Sequence, residues 1–332
     1  MSSRPDATAD EARRSAGAND LDLETHRREL TAYCYRMLGS GFEAEDAVQE
    51  TMVRAWRGFD GFEGRSALRS WLYRIATNVC LDMLHGPQRR ARPMDLGPSS
   101  TADSVLPAGL PEHTWVQPVA DARVLPTEGD PAELAAARDT IRLAFVAALQ
   151  HLPPRQRAVL ILCEVLRWQA TEVAELLDTT VASVNSALQR ARATLEKSDL
   201  SATEPLDTAD RELLERYVVA FQDYDIEALT SLIQEDAKQS MPPFDLWLRG
   251  RDDIFTWWFG PGIGCKGSRV IPTVSANGSP AFGQYKPAPG GGFEPWALQV
   301  LEISGGRIAE FTFFLDTDTL FPLFGLPARL ES

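Results

Sequence analysis

The chain has 332 residues, 44% of them apolar and 24% charged, and a formal net charge of −14. This length excludes a single small core and admits two or three domains. The acidic balance excludes a protein that grips DNA through its own positive surface, because phosphate neutralisation supplies most sequence-independent affinity.

Residues 1–20 are rich in Ala, Ser, Asp and Arg and are expected to be disordered. Residues 21–92 form a first helical block. A helix from Thr25 to Leu38 carries Leu30, Cys34, Met37 and Leu38 on one stripe and stops at Gly39-Ser40-Gly41. A second, from about Glu43 to Arg57, points Ala44, Ala47, Val48, Thr51, Met52, Ala55 and Trp56 toward the core. Its other face shows Asp46, Gln49 and Glu50 at i, i+3 and i+4, a spacing that fits either a solvated acidic face or a docking face. A loop containing Phe62, Arg65 and Ser66 leads to a third helix with the buried stripe Leu68, Trp71, Leu72, Ile75, Val79 and Met83. Arg69, Tyr73, Arg74, Thr77, Asn78 and Asp82 lie off that stripe. Their mixture of cation, amide and ring suits single-stranded nucleic acid, or an ordinary mixed surface. Arg89, Arg90 and Arg92 gather positive charge directly after it.

Residues 93–131 are proline-rich and carry Asp95, Asp103, Glu112, Asp121, Glu128 and Asp130 against one base, Arg123. Extended, such a linker could reach roughly 120 Å. Leu110, Trp115 and Val116 suggest a local anchoring contact. Residues 132–197 are helical again and read as a helix-turn-helix. One helix spans Thr171 to Leu177, the break falls at Asp178-Thr179-Thr180, and a last helix starts at Val181. Asp178 tolerates the left-handed backbone such a break needs. The last helix offers Ser183, Asn185 and Ser186 near its start and Gln189, Arg190 and Arg192 further on. Such a helix can read base edges in a major groove and hold phosphates with its cations.

After a polar linker at 198–207, residues 208–332 mix helices with strands. Helices are expected over Arg211–Gln222, Asp225–Ile233 and Arg251–Phe259, and strands over Arg269–Ser275, Ala281–Lys286, Trp296–Ile303 and Arg307–Leu315. Asn277-Gly278 and Gly305-Gly306 are turn signals between them. The pattern implies an α+β cone, a curved sheet wrapped on helices. Cys34, Cys80, Cys163 and Cys265 form no CxxC pair and read as reduced core thiols, so neither metal nor cofactor is expected. The N-terminus is polar and no run of about 20 apolar residues exists, so a cytoplasmic protein without a membrane anchor is expected.

The segments Ala44-Glu45-Asp46-Ala47-Val48-Gln49-Glu50-Thr51, Ser70-Trp71-Leu72-Tyr73-Arg74-Ile75-Ala76-Thr77-Asn78 with Asp82, and Leu152 to Leu195 resemble regions 2 and 4 of the sigma-70 superfamily. The extracytoplasmic-function (ECF) type, which keeps only those two domains, is the most similar. The resemblance covers roughly Leu23 to Lys197 and implies two all-α domains that bind core RNA polymerase and promoter DNA. It implies that Asp46, Gln49 and Glu50 dock on the β′ clamp helices, while region 4 meets the β flap. Phe62, Arg65, Ser66, Trp71, Arg74, Asn78 and Asp82 match the −10 reader. Ser183, Asn185, Ser186, Gln189, Arg190 and Arg192 match the −35 helix, with Arg155 and Arg157 near its phosphates. The chain departs from the family at Asp178, where Gly is frequent, and at Asn185, where Lys is common. The family's linker resembles an RNA mimic threaded through the polymerase; by composition alone, a passive tether serves equally.

Met241-Pro242-Pro243, Arg249-Gly250-Arg251, Ala276-Asn277-Gly278 and the tail from Leu320 to Pro327 resemble the SnoaL-like (NTF2-like) extension of some actinobacterial ECF sigma factors. That likeness implies a fused regulator. The block has no histidine (His26, His85, His113 and His151 all precede it), which excludes a His–Asp dehydratase. Asp245, Asp252 and Asp253 leave an Asp-based cyclase open. Trp247, Trp258, Tyr285 and Trp296 are candidates to line an apolar pocket for an unidentified small ligand. The expected whole is therefore a non-enzymatic transcription initiation factor. The alternative is a one-component, ligand-sensing regulator that does not bind polymerase as a sigma subunit.

Overall fold

A computed structural model describes residues 23–59, 62, 67–84, 90–106, 108–196 and 208–331. The expected disordered start (1–20), Arg65, Ser66, Arg89 and the 198–207 linker lie outside these described residues.

The first module holds α1 (Arg27–Leu38), α2 (Gly41–Gly58) and α3 (Leu68–Met83). Gly39 ends α1 with φ +73°, and its amide closes on the Tyr35 carbonyl at 2.8 Å. Ser40 then caps α2 by accepting from the Glu43 amide at 3.3 Å. Leu30, Cys34, Met37, Ala44, Val48, Leu72 and Ala76 are fully buried between the helices. Four expectations fail here, the first at Met83, which is 41% exposed at the last turn of α3 rather than on its buried stripe. Trp56 is 68% exposed, because Ala55 continues the Ala47–Thr51 row and Trp56 lies one helical step further round. Tyr73 and Thr77 are buried rather than superficial. The Tyr73 ring packs on Tyr33 and Trp168, with centroids 5.2 and 5.1 Å away, and the Thr77 and Tyr33 hydroxyls are 2.8 Å apart.

The 93–131 segment is not an extended tether. It is a strap with two short helices, α4 (Pro93–Leu96) and α5 (Asp121–Val124), and its Trp115, Val116, Val119 and Val124 are buried. Its amides at Ser100, Leu110 and Asp121 donate to the carbonyls of Trp247, Pro243 and Ser275 at 2.7, 2.8 and 3.0 Å. Apolar residues set among the acids give the strap something to bury.

The second module contains α6 (Pro131–Asp139), α7 (Leu143–Gln150), α8 (Pro154–Leu160), α9 (Ala170–Leu176) and α10 (Val181–Leu195). Asp178 makes the turn between the last two with φ +50°, and Thr180 caps α10 by accepting from the Ser183 amide at 3.2 Å. Val173, Val184, Ala191 and Leu162 fill its core.

The third module has α11 (Thr208–Asp223), α12 (Ile226–Leu232), α13 (Arg251–Phe259) and a six-stranded sheet among the described residues. The strands are β1 (Ile233–Ser240), β2 (Trp247–Arg249), β3 (Arg269–Pro272), β4 (Ala281–Pro287), β5 (Phe293–Ser304) and β6 (Arg307–Phe314). Their order is β2-β1-β6-β5-β4-β3, with β1 and β6 parallel and the other pairs antiparallel. The sequence pattern shows four of these strands. It conceals β1, whose exposed Glu235 and Asp236 interrupt any apolar alternation and whose buried Gln239 is satisfied by Trp258. The tail adds α14 (Thr317–Leu323). Because side chains alternate along a strand, β5 serves two cores. Ala297 and Leu301 face the concave side with α11 and α13, whereas Leu298 and Val300 join α14 and the first two modules in one continuous core.

Candidate functional site

On α2, Asp46, Gln49 and Glu50 are exposed on one face. Glu50 pairs with Arg54 at 2.7 Å, and Arg54 reaches Asp82 on α3 at 3.3 Å. The exposed Val53 and Trp56 prolong this face with apolar surface. Sequence reading assigned Trp56 to the core; its spacing from Gln49 and Val53 was the available signal.

On α3, Arg74, Asn78 and Asp82 are exposed and Trp71 is half-buried. Trp71 packs on Phe62, ring centroids 4.8 Å apart, and Phe62 lies against Phe59. One edge of the helix is covered by the second module. Arg74 donates to the Glu175 carbonyl on α9 at 3.3 Å, and Arg69 sits over the rings of Tyr73 and Trp168. Arg69 also pairs with Glu29 at 2.8 Å.

On α10, Ser183, Asn185, Ser186, Gln189, Arg190 and Arg192 all face solvent, as does Arg155 on α8. Arg192 is paired with Glu164. Arg157 is not a phosphate contact here. It is 2% exposed, and its guanidinium donates to the carbonyls of Met37, Gln150 and Leu152 and to the Gln150 side chain. A planar fork with five donors suits a cluster of inward carbonyls, so Arg157 bolts α8 to the end of α1.

The four aromatic residues expected to share a pocket do so only in part: Trp258 and Trp296 line one small hollow, whereas Trp247 and Tyr285 lie elsewhere. Trp247 lies at a sheet edge and its indole donates to the Gly97 carbonyl in the strap at 2.9 Å. Trp258 is in the concave core, donating to Gln239 at 2.6 Å. Tyr285 is on the convex side against Phe321; its hydroxyl donates to the Pro327 carbonyl at 2.8 Å, and burial pushes its pKa up to about 12. Trp296 stands under the Lys286 ammonium, 4.3 Å from ring centre to nitrogen. The scatter follows from their placement on four separate elements, β2, α13, β4 and β5. The space left inside the concave core beside Trp258 is only about 20 Å³.

The convex side holds a junction that sequence reading missed. The Asn277-Gly278 turn, both residues at positive φ, inserts among the other modules. The buried Asn277 amide donates to the Tyr35 hydroxyl and to the Ile141 carbonyl, each at 2.6 Å, and accepts from the Val119 amide at 2.9 Å. One side chain thus joins α1, the strap and the segment before α7. Nearby, Arg142, the residue preceding α7, pairs with Glu302 on β5 at 2.5 Å. Glu302 lies opposite Glu310 on β6. Burial and then the Glu302 charge raise the Glu310 pKa to about 7, against the pull of Arg92, Lys238 and Arg142. The one sequence signal was Asn-Gly itself, which announces a turn and not what the turn touches.

Comparison with known proteins bears on this assembly. Residues 23–90 match the Sigma-70 region 2 family and residues 142–195 match Sigma-70, region 4. The chain is 44% identical over 328 residues to the ECF RNA polymerase sigma factor SigG of Mycobacterium tuberculosis, covering 97% of this chain and 86% of that one. It is 31% identical over 179 residues to the ECF RNA polymerase sigma factor SigW of Bacillus subtilis, covering 53% of this chain and 85% of the relative. The crystal structure of the Mycobacterium tuberculosis extracytoplasmic function sigma factor SigJ shares the fold, with a TM-score of 0.58 and 22% identity, covering 92% of this chain and 99% of that one. Among the described residues no helix is long and apolar enough to cross a membrane. With two sigma modules in order and a relative matched over 97% of this chain and 86% of its own length, the chain belongs to the extracytoplasmic-function sigma factors, the RNA polymerase subunits that direct promoter recognition and transcription initiation, and carries a further α+β domain after them.

Proposed function

We propose that this sigma factor rests in a closed form in the cytoplasm, with the NTF2-like cone latching its two DNA-reading modules together. Promoter elements named −10 and −35 are about 25 base pairs apart, roughly 85 Å of duplex at 3.4 Å per pair. Modules bolted to one another by Arg157 and Asn277 cannot serve both at once, so polymerase binding must separate them. The observation that carries this reading is Asn277, whose buried amide bonds to all three neighbouring segments. In the open form, Asp46, Gln49 and Glu50 dock on the β′ clamp helices, with Val53 and Trp56 extending the contact, and region 4 meets the β flap. Phe62, Arg65, Ser66, Trp71, Arg74, Asn78 and Asp82 engage the −10 strand. Ser183, Asn185, Ser186, Gln189, Arg190, Arg192 and Arg155 engage the −35 duplex. Polymerase supplies the bulk phosphate affinity that a chain of net charge −14 lacks. We read the cone as regulatory rather than catalytic, since its concave core is filled by side chains such as Trp258 and Phe311.

The test is run-off transcription with core RNA polymerase, comparing the full chain with Asn277→Ala. The latch predicts higher output from the variant at limiting sigma concentration. Output equal to or below that of the full chain, from a folded variant, contradicts the latch. Failure of the full chain to associate with core polymerase contradicts the docking roles.

A further inference from the structure

An apolar hollow lies not inside the cone but between it and the strap. A cavity of about 570 Å³ is walled by Leu110 of the strap, Pro243 of the β1–β2 loop, Trp296 of β5 and Phe314 of β6. That volume is in the range of small-molecule sites. Leu110, 37% exposed, stands at its rim. Trp115 also lines it, and the buried indole N–H of Trp115 has no hydrogen-bond partner among the described residues. An orphaned buried donor is costly and is relieved by an acceptor placed against it. The polar lining is otherwise acidic or neutral: Glu112, Gln117 and Asp316, with no Lys or Arg among the described lining residues. An anion would meet two carboxylates there without compensation.

We propose that this cavity is a binding site for a neutral, mainly apolar small molecule bearing a carbonyl or hydroxyl oxygen, and that its occupant stabilises the closed form. The apolar body fills the space under Leu110 and Pro243, and the oxygen accepts from the Trp115 indole once a small turn of that ring brings its buried N–H to the lining. Coupling to the rest of the chain runs through the floor of the cavity. Gln117 donates to Glu112 at 2.5 Å, accepts from the hydroxyl of Ser40, and its backbone amide donates to the Gly39 carbonyl at 2.9 Å. Ser40 is the cap of α2, the helix that carries Asp46, Gln49 and Glu50. The walls of the site come from both strap and cone, so the intact site exists only while the strap lies on the cone. A ligand that binds one of two states shifts the equilibrium toward it. Occupancy therefore works against polymerase capture.

This inference rests on the latched resting state, and the experiment separates the two. The full chain is titrated with prodan, a neutral naphthyl ketone that brightens in apolar sites, and in parallel with a sulfonated anilinonaphthalene of similar size. Saturable prodan binding is expected, with at least tenfold weaker affinity for the sulfonate. Leu110→Trp, which fills the space from the rim, is expected to weaken prodan at least tenfold. Trp115→Phe, which keeps the ring and removes the donor, is expected to weaken it about threefold or more. Saturating prodan is expected to cut holoenzyme formation with core polymerase at least threefold for the wild type and not for Leu110→Trp. Equal prodan affinity in wild type and a normally melting Leu110→Trp overturns the site. Equal affinity in Trp115→Phe overturns the oxygen contact. Binding without any change in holoenzyme formation overturns the coupling. If Asn277→Ala raises transcription while prodan fails to bind, the latch stands and the ligand site alone falls.

Discussion

The two helices that carry the DNA-reading candidates meet opposite surroundings. α10 is clear along its outer face from Ser183 to Arg192, apart from the surface pairing of Arg192 with Glu164. α3 is partly covered: Tyr73 and Thr77 are buried, Arg74 is tied to the Glu175 carbonyl, and Trp168 of the second module lies on Tyr73. The proposed closure would thus mask region 2 more than region 4. The lesson is that restraint does not require covering every contact. In the proposed latch, fixing the distance between two readers and shading one of them would suffice, and α10 would stay available for the first encounter.

Four substitutions put this contrast to the test. The largest effect is expected from Arg157→Ala. It removes a buried charged donor set and leaves three carbonyls short of partners, a loss of about 3 kcal/mol or more. Thermal melting of the free chain reads this directly. A phosphate-contacting arginine would instead leave the melt unchanged and weaken only DNA binding. Next comes Asn277→Ala, expected to cost the closed form about 2 kcal/mol, roughly thirtyfold in the closed-to-open ratio. Hydrogen exchange at Tyr73 and Thr77 should accelerate, while exchange along the outer face of α10 stays as it was. If both helices respond alike, the asymmetry is wrong.

A smaller effect follows from Glu310. Its folded pKa is raised from 4.5 to about 7, chiefly by burial and next by Glu302, so folding takes up a proton. The stability it contributes is complete below pH 4.5 and is lost as pH rises through about 7. The melting temperature should therefore fall across that window, and Glu310→Gln should flatten the slope. A slope of the opposite sign would show that Arg92 and Arg142 outweigh burial. The smallest effect belongs to the open side of the comparison. Arg190→Ala should leave the melt and α3 exchange unchanged, yet lower the salt slope of holoenzyme binding to a −35 duplex by about one. An unaltered slope would remove Arg190 from the phosphate contacts.

What could be read in advance follows a physical division. The caps, the Asp178 turn, the stripe of α1 and the exposed reading residues of α10 are decided within a few residues of chain, where helical period and turn chemistry act. The same holds for the Gly305-Gly306 hairpin, both residues at positive φ. The junctions were illegible because their partners are remote. Asn277 meets Tyr35 across 242 positions, and Arg157 meets Met37 across 120. Nothing local distinguishes an arginine that holds carbonyls from one that holds phosphates. The strap misled because its prolines and acids mark a linker, while the few apolar residues that fasten it, Trp115 and Val119 among them, find their partners only in the folded cone. The aromatic pocket misled for the reverse reason. Four large rings suggest one cavity in composition, but they stand on four separate elements, β2, α13, β4 and β5, that do not all converge on one hollow.

The separation of the two modules is the quantity on which the latch depends. Probes placed at the exposed positions Asn78 and Asn185 report it in the free chain, in Asn277→Ala, and in the assembled holoenzyme. The latch predicts one short, narrow distance in the free chain, a broadened distribution in the variant, and a longer distance once polymerase is bound. An identical distance in the free chain and the holoenzyme would contradict it.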